Sequence, residues 1–156
     1  MGYFILQSPV GKLGATLSEE SISKLSFEAE GKVRSPQTPL EKELFEQIQA
    51  FFSGELKRFD LPLNMQGTDF QLKVWRQLTA IPYGDTVTYG ELSDTLHSSA
   101  RAIGGACRRN PIPVIVPCHR VTSAAGIGGF SGQVAGKFIE RKQWLLQHEK
   151  LAVMTE

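Results

Sequence analysis

Cysteine is scarce in this sequence, with only Cys107 and Cys118 among 156 residues. Two thiols cannot build a disulfide framework or a four-ligand zinc site, and their separation matches no metal-ligand spacing. His97, His119 and His148 do not complete a ligand set, so free thiols are expected and neither metal nor cofactor. No stretch approaches the roughly 20 consecutive apolar residues that cross a bilayer, which excludes a helical membrane anchor. The basic, apolar and small-residue segments of a secretory leader are also missing from the N-terminus, so a cytoplasmic location is expected. Net charge is nearly absent as well, at +1. The strong positive balance usual in a nucleic-acid binder is therefore lacking overall.

That neutral total conceals an uneven distribution. Met1 to Asp69 carries seven Lys/Arg against ten Asp/Glu, whereas Phe70 to Glu156 carries ten against six. No acidic residue stands between Asp94 and Glu140, a window holding Arg101, Arg108, Arg109, Arg120 and Lys137. An electropositive surface is expected there. With 41% apolar and 21% charged residues, the chain has enough apolar content for a core without cross-links.

Tyr3 to Gln7, Leu13 to Leu17 and Ile22 to Phe27 are short apolar-rich runs separated by turn residues, the pattern of hairpin-linked strands. From Leu40, apolar residues at Leu44, Phe45, Ile48, Phe51 and Phe52 recur with helical spacing until Ser53-Gly54. Phe59 to Met65, with Pro62 inside it, is expected to be extended or looped and to link two lobes.

Thr68-Asp69-Phe70-Gln71 is a capping box opening a helix to about Ala80, and Thr88-Tyr89-Gly90-Glu91 opens a shorter one through Leu96. Ser98 or Ser99 can cap a third, Ala100 to Arg108, giving a helix-turn-helix. That third helix has little bulk, with Ala100, Ala102, Gly104, Gly105 and Ala106, and each glycine costs about 1 kcal/mol against alanine. Two explanations stay open: close packing on another helix, or close approach to a nucleic-acid backbone.

Asn110 to Arg120 contains Pro111, Pro113 and Pro117, which forbid a regular helix, and Val114 to Val116 reads as a buried strand delivering Cys118 at its end. A thiol after such a strand can simply be core. Beside His119 and Arg120 it can instead be a nucleophile of lowered pKa, provided the chain turns so that His119 serves it. Gly126 to Gly132 is a glycine-rich loop without the Lys-Ser/Thr ending of a phosphate loop, so it is either surface or a cover over a planar group. Lys137 to Glu149 reads as a helix with Phe138, Ile139, Trp144, Leu145 and Leu146 as its apolar side.

Together, Pro117-Cys118-His119-Arg120-Val121, Arg101-Ala102-Ile103-Gly104-Gly105-Ala106, Arg109-Asn110-Pro111, Gly129-Phe130-Ser131-Gly132 and Trp144-Leu145-Leu146 with His148-Glu149 resemble the O6-alkylguanine-DNA alkyltransferase family. The resemblance is strong from Phe70 to Glu149 and rests only on layout before that. It implies an α+β fold in which a small N-terminal sheet-and-helix lobe, residues 1–66, packs on a C-terminal helical lobe, 67–150, followed by a tail, 151–156. The second lobe would carry the helix-turn-helix and the short strand leading to Cys118.

The resemblance further implies a DNA repair enzyme that flips O6-alkylguanine, and also O4-alkylthymine, from the duplex and moves the alkyl group irreversibly onto Cys118. His119 is similar to the base that takes the thiol proton through a water, and Glu149 to the carboxylate that orients it. Asn110 would hold the turn, and Tyr89 and Lys142 would stand near the guanine. Val121 and Ser131 would read the base, with Pro113 and Cys107 in the pocket wall. Ser99, Ala100, Arg101, Ala102, Gly105, Arg108, Arg109 and Tyr89 would meet DNA in the minor groove, Arg101 filling the gap left by the flipped nucleotide. A monomer on double-stranded DNA is expected, with cooperative assembly left open. Competing readings are a non-catalytic damage-binding relative, a helix-turn-helix regulator and a thiol hydrolase.

Overall fold

The computed structural model describes residues 2–123 and 137–154, and the chain divides into two compact units, Met1–Gln66 and Gly67–Glu156. The first unit begins with three antiparallel strands in the order β1-β2-β3: β1 (Gly2–Ser8), β2 (Gly11–Leu17) and β3 (Ile22–Phe27). Gly11 sits at φ +106°, so the tight first hairpin needs glycine there. Phe4, Leu6, Leu13, Ala15, Leu17, Ile22 and Leu25 are buried on the sheet.

Helix α1 (Pro39–Phe52) is capped by the Thr38 hydroxyl and buries Leu40, Leu44, Ile48 and Phe51, an i, i+4 stripe. Glu41 is buried in its first turn, where Arg34 donates to both carboxylate oxygens at 2.8 Å. The Phe59–Met65 stretch runs extended enough for Leu63 to bridge Ile22 in parallel fashion.

In the second unit, α2 (Asp69–Thr79) and α3 (Tyr89–Leu96) each start with the complete capping box expected at Thr68/Gln71 and Thr88/Glu91. The last helices of the motif are joined at His97, in the left-handed region at φ 53°, and α4 (Ala100–Arg108) is capped by Ser99. Two-residue strands β4 (Val87–Thr88) and β5 (Val121–Thr122) pair in parallel. The final helix, α5, spans Lys137–Met154.

Two expectations are corrected. Val114 to Val116 is not a strand: the segment is a turn, and Cys118 opens a 3-10 turn, Cys118–Arg120, ahead of β5. Pro111, Pro113 and Pro117 have no N–H to give a ladder, and the bonds that form are local, Val116 N–H to Ile112 carbonyl at 2.9 Å and Cys118 N–H to Val116 carbonyl at 2.8 Å. Residues 151–154 are not a tail, because Leu151-Ala152-Val153-Met154 contains no glycine or proline and prolongs α5. An added Cβ at Gly84 would meet Val153 at 2.6 Å, and Gly84 has φ +85°, so this approach also requires glycine.

Candidate active site

The Asn110–Val121 segment positions the thiol through side-chain bonds. Asn110 Nδ2 donates to the Val116 carbonyl at 2.8 Å, and its Oδ1 accepts from Ile112 N–H at 3.0 Å. Between them the β-branched Val114, fully buried, is held at φ 75°, which costs about 1–3 kcal/mol. The 3-10 turn then advances one third of a turn per residue, so Cys118 and His119 are not forced onto opposite faces as they would be in a strand.

Cys118, His119 and Arg120 are all buried. His119 Nε2 lies 2.5 Å from Glu149 Oε2, across thirty residues of sequence. Burial holds His119 below its ordinary pKa, only partly countered by Glu149, while Glu149 is held down to about 2 by its bonds to His119 and Arg120 against the penalty of burial. The carboxylate is therefore ionised and can only accept, so Nε2 carries the imidazole proton. The lone pair of the neutral ring lies on Nδ1, which is buried and makes no hydrogen bond among the described residues. That atom presents the ring's proton-accepting lone pair.

Burial pushes the Cys118 thiol up to about 11, only partly offset by a hydrogen bond with Asn110 and the charge of Lys142. The Arg120 guanidinium is paired with Glu149 at 2.8 and 3.0 Å and bonded to the Ile81 carbonyl at 2.8 Å, so its charge is compensated by the carboxylate beside it. The resting group is a protonated thiol.

Tyr89, Cys107 and Lys142 complete the cluster. The β4–β5 pairing sets Val87 beside Val121, so Tyr89, two residues on, opens α3 next to the reactive segment. Lys142 is fully buried, with Nζ 5.7 Å from the Tyr89 ring centre, and burial brings its amine down to about 8 despite the opposing influence of the two thiols. Burial likewise pushes Tyr89 up, and raises Cys107 to about 12 with a further contribution from Cys118. Val121 is buried and Pro113 half-buried nearby in sequence, whereas Ser131 and the Gly126–Gly132 loop lie outside the described residues.

The face of α4 opposite this cluster is open. Ile103 and Ala106 turn inward, and Trp75 Nε1–H donates to the Ala106 carbonyl at 3.0 Å. Ser99, Ala100, Arg101, Arg108 and Arg109 are exposed, and Ala102 and Gly105 are partly so. An added Cβ on Gly104 would meet nothing within 4 Å, and on Gly105 only Arg108 Nη2 at 3.9 Å. Among the described residues, close helix packing does not explain the two glycines.

Sequence reasoning left Gly84, Tyr83 and the clasp of Arg120 on Glu149 out of the site. Gly84 N–H donates to Glu149 Oε1 at 3.1 Å, and the Arg120 guanidinium lies 5.6 Å from the Tyr83 ring centre. Only Ile81-Pro82-Tyr83-Gly84 as a helix stop was legible, and nothing local tied it to Glu149. On α5, Ile139 and Leu145 are buried as expected, but Trp144 is 37% exposed and stacks on His148 at 5.0 Å. The inward stripe instead includes Lys142 and Glu149, charged residues that an apolar pattern overlooks. Among the described residues, no group of three or more His, Cys, Asp or Glu side chains could hold a metal.

Family models described as 6-O-methylguanine DNA methyltransferase, ribonuclease-like domain, and 6-O-methylguanine DNA methyltransferase, DNA binding domain, match residues 1–65 and 69–151. The chain is 40% identical to the methylated-DNA--protein-cysteine methyltransferase of Methanosarcina acetivorans over 96% of this chain and 98% of that protein. It is 39% identical to the protein of the same name from Mycobacterium tuberculosis, over 95% and 92%. A crystal structure of Mycobacterium tuberculosis OGT in complex with DNA superposes with a TM-score of 0.84 at 38% identity, covering 96% of this chain and 93% of that one.

Proposed function

Since the chain belongs to the 6-O-methylguanine DNA methyltransferase family, we propose that it repairs DNA by taking the alkyl group of O6-alkylguanine, and of O4-alkylthymine, onto its own Cys118. Each molecule acts once. The observation that carries this reading is a buried thiol at Cys118 followed directly by His119, whose proton-accepting Nδ1 is fixed by the 2.5 Å bond from Nε2 to Glu149. In the reaction the Cys118 sulfur bonds to the alkyl carbon as the carbon–oxygen bond to the base breaks. The thiol proton passes through a water to His119, while one proton, donated from the Tyr89 and Lys142 side of the pocket by one of these two groups with the other hydrogen-bonding to it, lets guanine leave as a neutral base.

A thiol held near 11 stays protonated until a substrate is engaged, which suits a reagent used once. The mixed reading of a non-catalytic damage binder is disfavoured by the presence of Cys118, and a regulator has no use for the buried set around it. A hydrolase would turn over repeatedly.

For DNA, α4 would enter the minor groove, where its small face at Ala100, Ala102 and Gly105 lets the backbone approach. Arg101 would occupy the space of the flipped nucleotide, and Arg108 and Arg109 would meet phosphates. Val121, Ser131, Pro113, Cys107 and Lys142 would line the base pocket, and Asn110 would hold its floor. The protein would act as a monomer within the cell, and no helix among the described residues is long and apolar enough to cross a membrane.

The test is incubation with duplex DNA bearing O6-methylguanine. One methyl mass on the Cys118 peptide and one lesion removed per molecule are expected. An unchanged mass, or many lesions removed per molecule, contradicts the proposal.

A further inference from the structure

Glu149 is bonded on every side. Its Oε1 accepts from Gly84 N–H at 3.1 Å and Arg120 Nε–H at 2.8 Å, and its Oε2 from His119 Nε2–H at 2.5 Å and Arg120 Nη2–H at 3.0 Å. A carboxylate offers about four lone-pair sites, so no place remains for a proton. The third branch of Arg120 donates to the Ile81 carbonyl at 2.8 Å, and its charged plane lies over Tyr83. This planar fork reaches both carboxylate oxygens and a main-chain anchor at once, which a single ammonium does not.

We propose that Arg120 is a positioning residue for alkyl transfer: by clamping both oxygens of Glu149 to the Ile81–Gly84 turn, it keeps the carboxylate an acceptor for His119 Nε2–H, so the proton leaving Cys118 stops on His119. The inference rests on the transfer reading. Glu149 is thereby an electrostatic anchor and not a proton carrier. The charged and titratable groups facing it are His119 and Arg120 from the 3-10 turn and Tyr83 from the turn after α2, while Lys142 acts on His119 from α5. Without the guanidinium, a buried carboxylate loses two donors and its counter-charge and takes up a proton at higher pH. Once protonated, it no longer holds the imidazole in the basic tautomer.

The experiment measures single-turnover methyl transfer from O6-methylguanine DNA across about pH 5 to 9, with thermal unfolding alongside, for the unsubstituted protein, Arg120→Met and Arg120→Lys. Arg120→Met is expected to be about 10- to 100-fold slower, with the acidic limb of its rate profile displaced upward by about one unit or more. Arg120→Lys keeps the charge, so its acidic limb should remain near that of the unsubstituted protein while the rate stays reduced. Uniform slowing of Arg120→Met at every pH, with no displaced limb, would assign Arg120 a merely structural role and overturn the inference. Nitrogen NMR of His119 in the unsubstituted protein provides a test independent of variant folding: a proton on Nε2 and a bare Nδ1 are expected, and the reverse tautomer overturns the inference. Absence of methyl on Cys118 in the unsubstituted protein would overturn the transfer reading itself.

Discussion

Asn110 closes the turn before the reactive cysteine by donating from Nδ2 to the Val116 carbonyl at 2.8 Å. Its Oδ1 simultaneously accepts from Ile112 N–H. One amide side chain thus replaces the strand ladder that three prolines deny to this segment, and it helps to lower the Cys118 thiol pKa against the penalty of burial. Asn110→Ala should lower stability by about 1–3 kcal/mol and slow methyl transfer more than it weakens DNA binding. Chemical denaturation and single-turnover kinetics would check this; unchanged kinetics would mean the turn holds without the amide.

Cys118→Ser should retain affinity for duplex DNA and lose transfer, because a serine hydroxyl at neutral pH is a far poorer nucleophile than a thiol assisted by His119. Peptide mass after exposure to methylated DNA is the readout. Transfer in the serine variant would move the acceptor elsewhere.

Gly104 and Gly105 have open space where a Cβ would stand. Gly104→Ala and Gly105→Ala should each raise helix stability by about 0.5–1 kcal/mol, visible as a higher melting temperature. If α4 approaches DNA closely, the Gly105 substitution should weaken binding in fluorescence anisotropy. A stabilised variant with undiminished binding would remove that face from the DNA contact.

Glu41 and Glu149 are both held at about 2, against an ordinary 4.5, by arginine and histidine partners. Groups with lowered folded-state values stabilise fully above their unfolded pKa and lose that contribution as pH falls through the folded one. The melting temperature should therefore drop between about pH 5 and pH 2, and His119, also lowered, extends the loss upward toward its unfolded value of 6.5. Glu41→Gln should reduce stability at neutral pH and flatten part of the acid dependence. A melting temperature independent of pH across that window would contradict the paired, ionised state of both carboxylates.

Lys142 lowers the Cys118 pKa by its charge. Lys142→Met should slow the reaction of Cys118 with a small alkylating reagent at neutral pH, by about tenfold for each unit of thiol pKa lost to it. Rates of iodoacetamide labelling at the Cys118 peptide decide the matter, and equal or faster labelling would place the lysine outside the thiol's field.

Local structure is legible in the sequence where each signal is self-contained. The capping boxes at Thr68/Gln71 and Thr88/Glu91, the Leu44–Ile48–Phe51 stripe and the glycine at position 11 each depend on residues a few positions apart. The Val114–Val116 run misled because three apolar residues fit a strand or a buried turn equally, and what separates them is a bond from Asn110, outside the run. The choice between a core thiol and an acidic one at Cys118 stayed open for a related reason: adjacency of Arg120 in sequence said nothing of which way its side chain points.

By itself, the sequence determined which candidates are present: a Cys-His pair and a small-faced helix flanked by arginines, to which the family resemblance added a glutamate thirty residues on from the histidine. Which of them holds a proton was decided only by the tertiary structure. Burial raises Cys118 and lowers His119, and the convergence of Gly84, His119 and Arg120 keeps Glu149 ionised. Ionisation follows from solvent exclusion and from distances of about 3 Å at which charge-assisted hydrogen bonds form, and folding brings together those groups from distant parts of the chain.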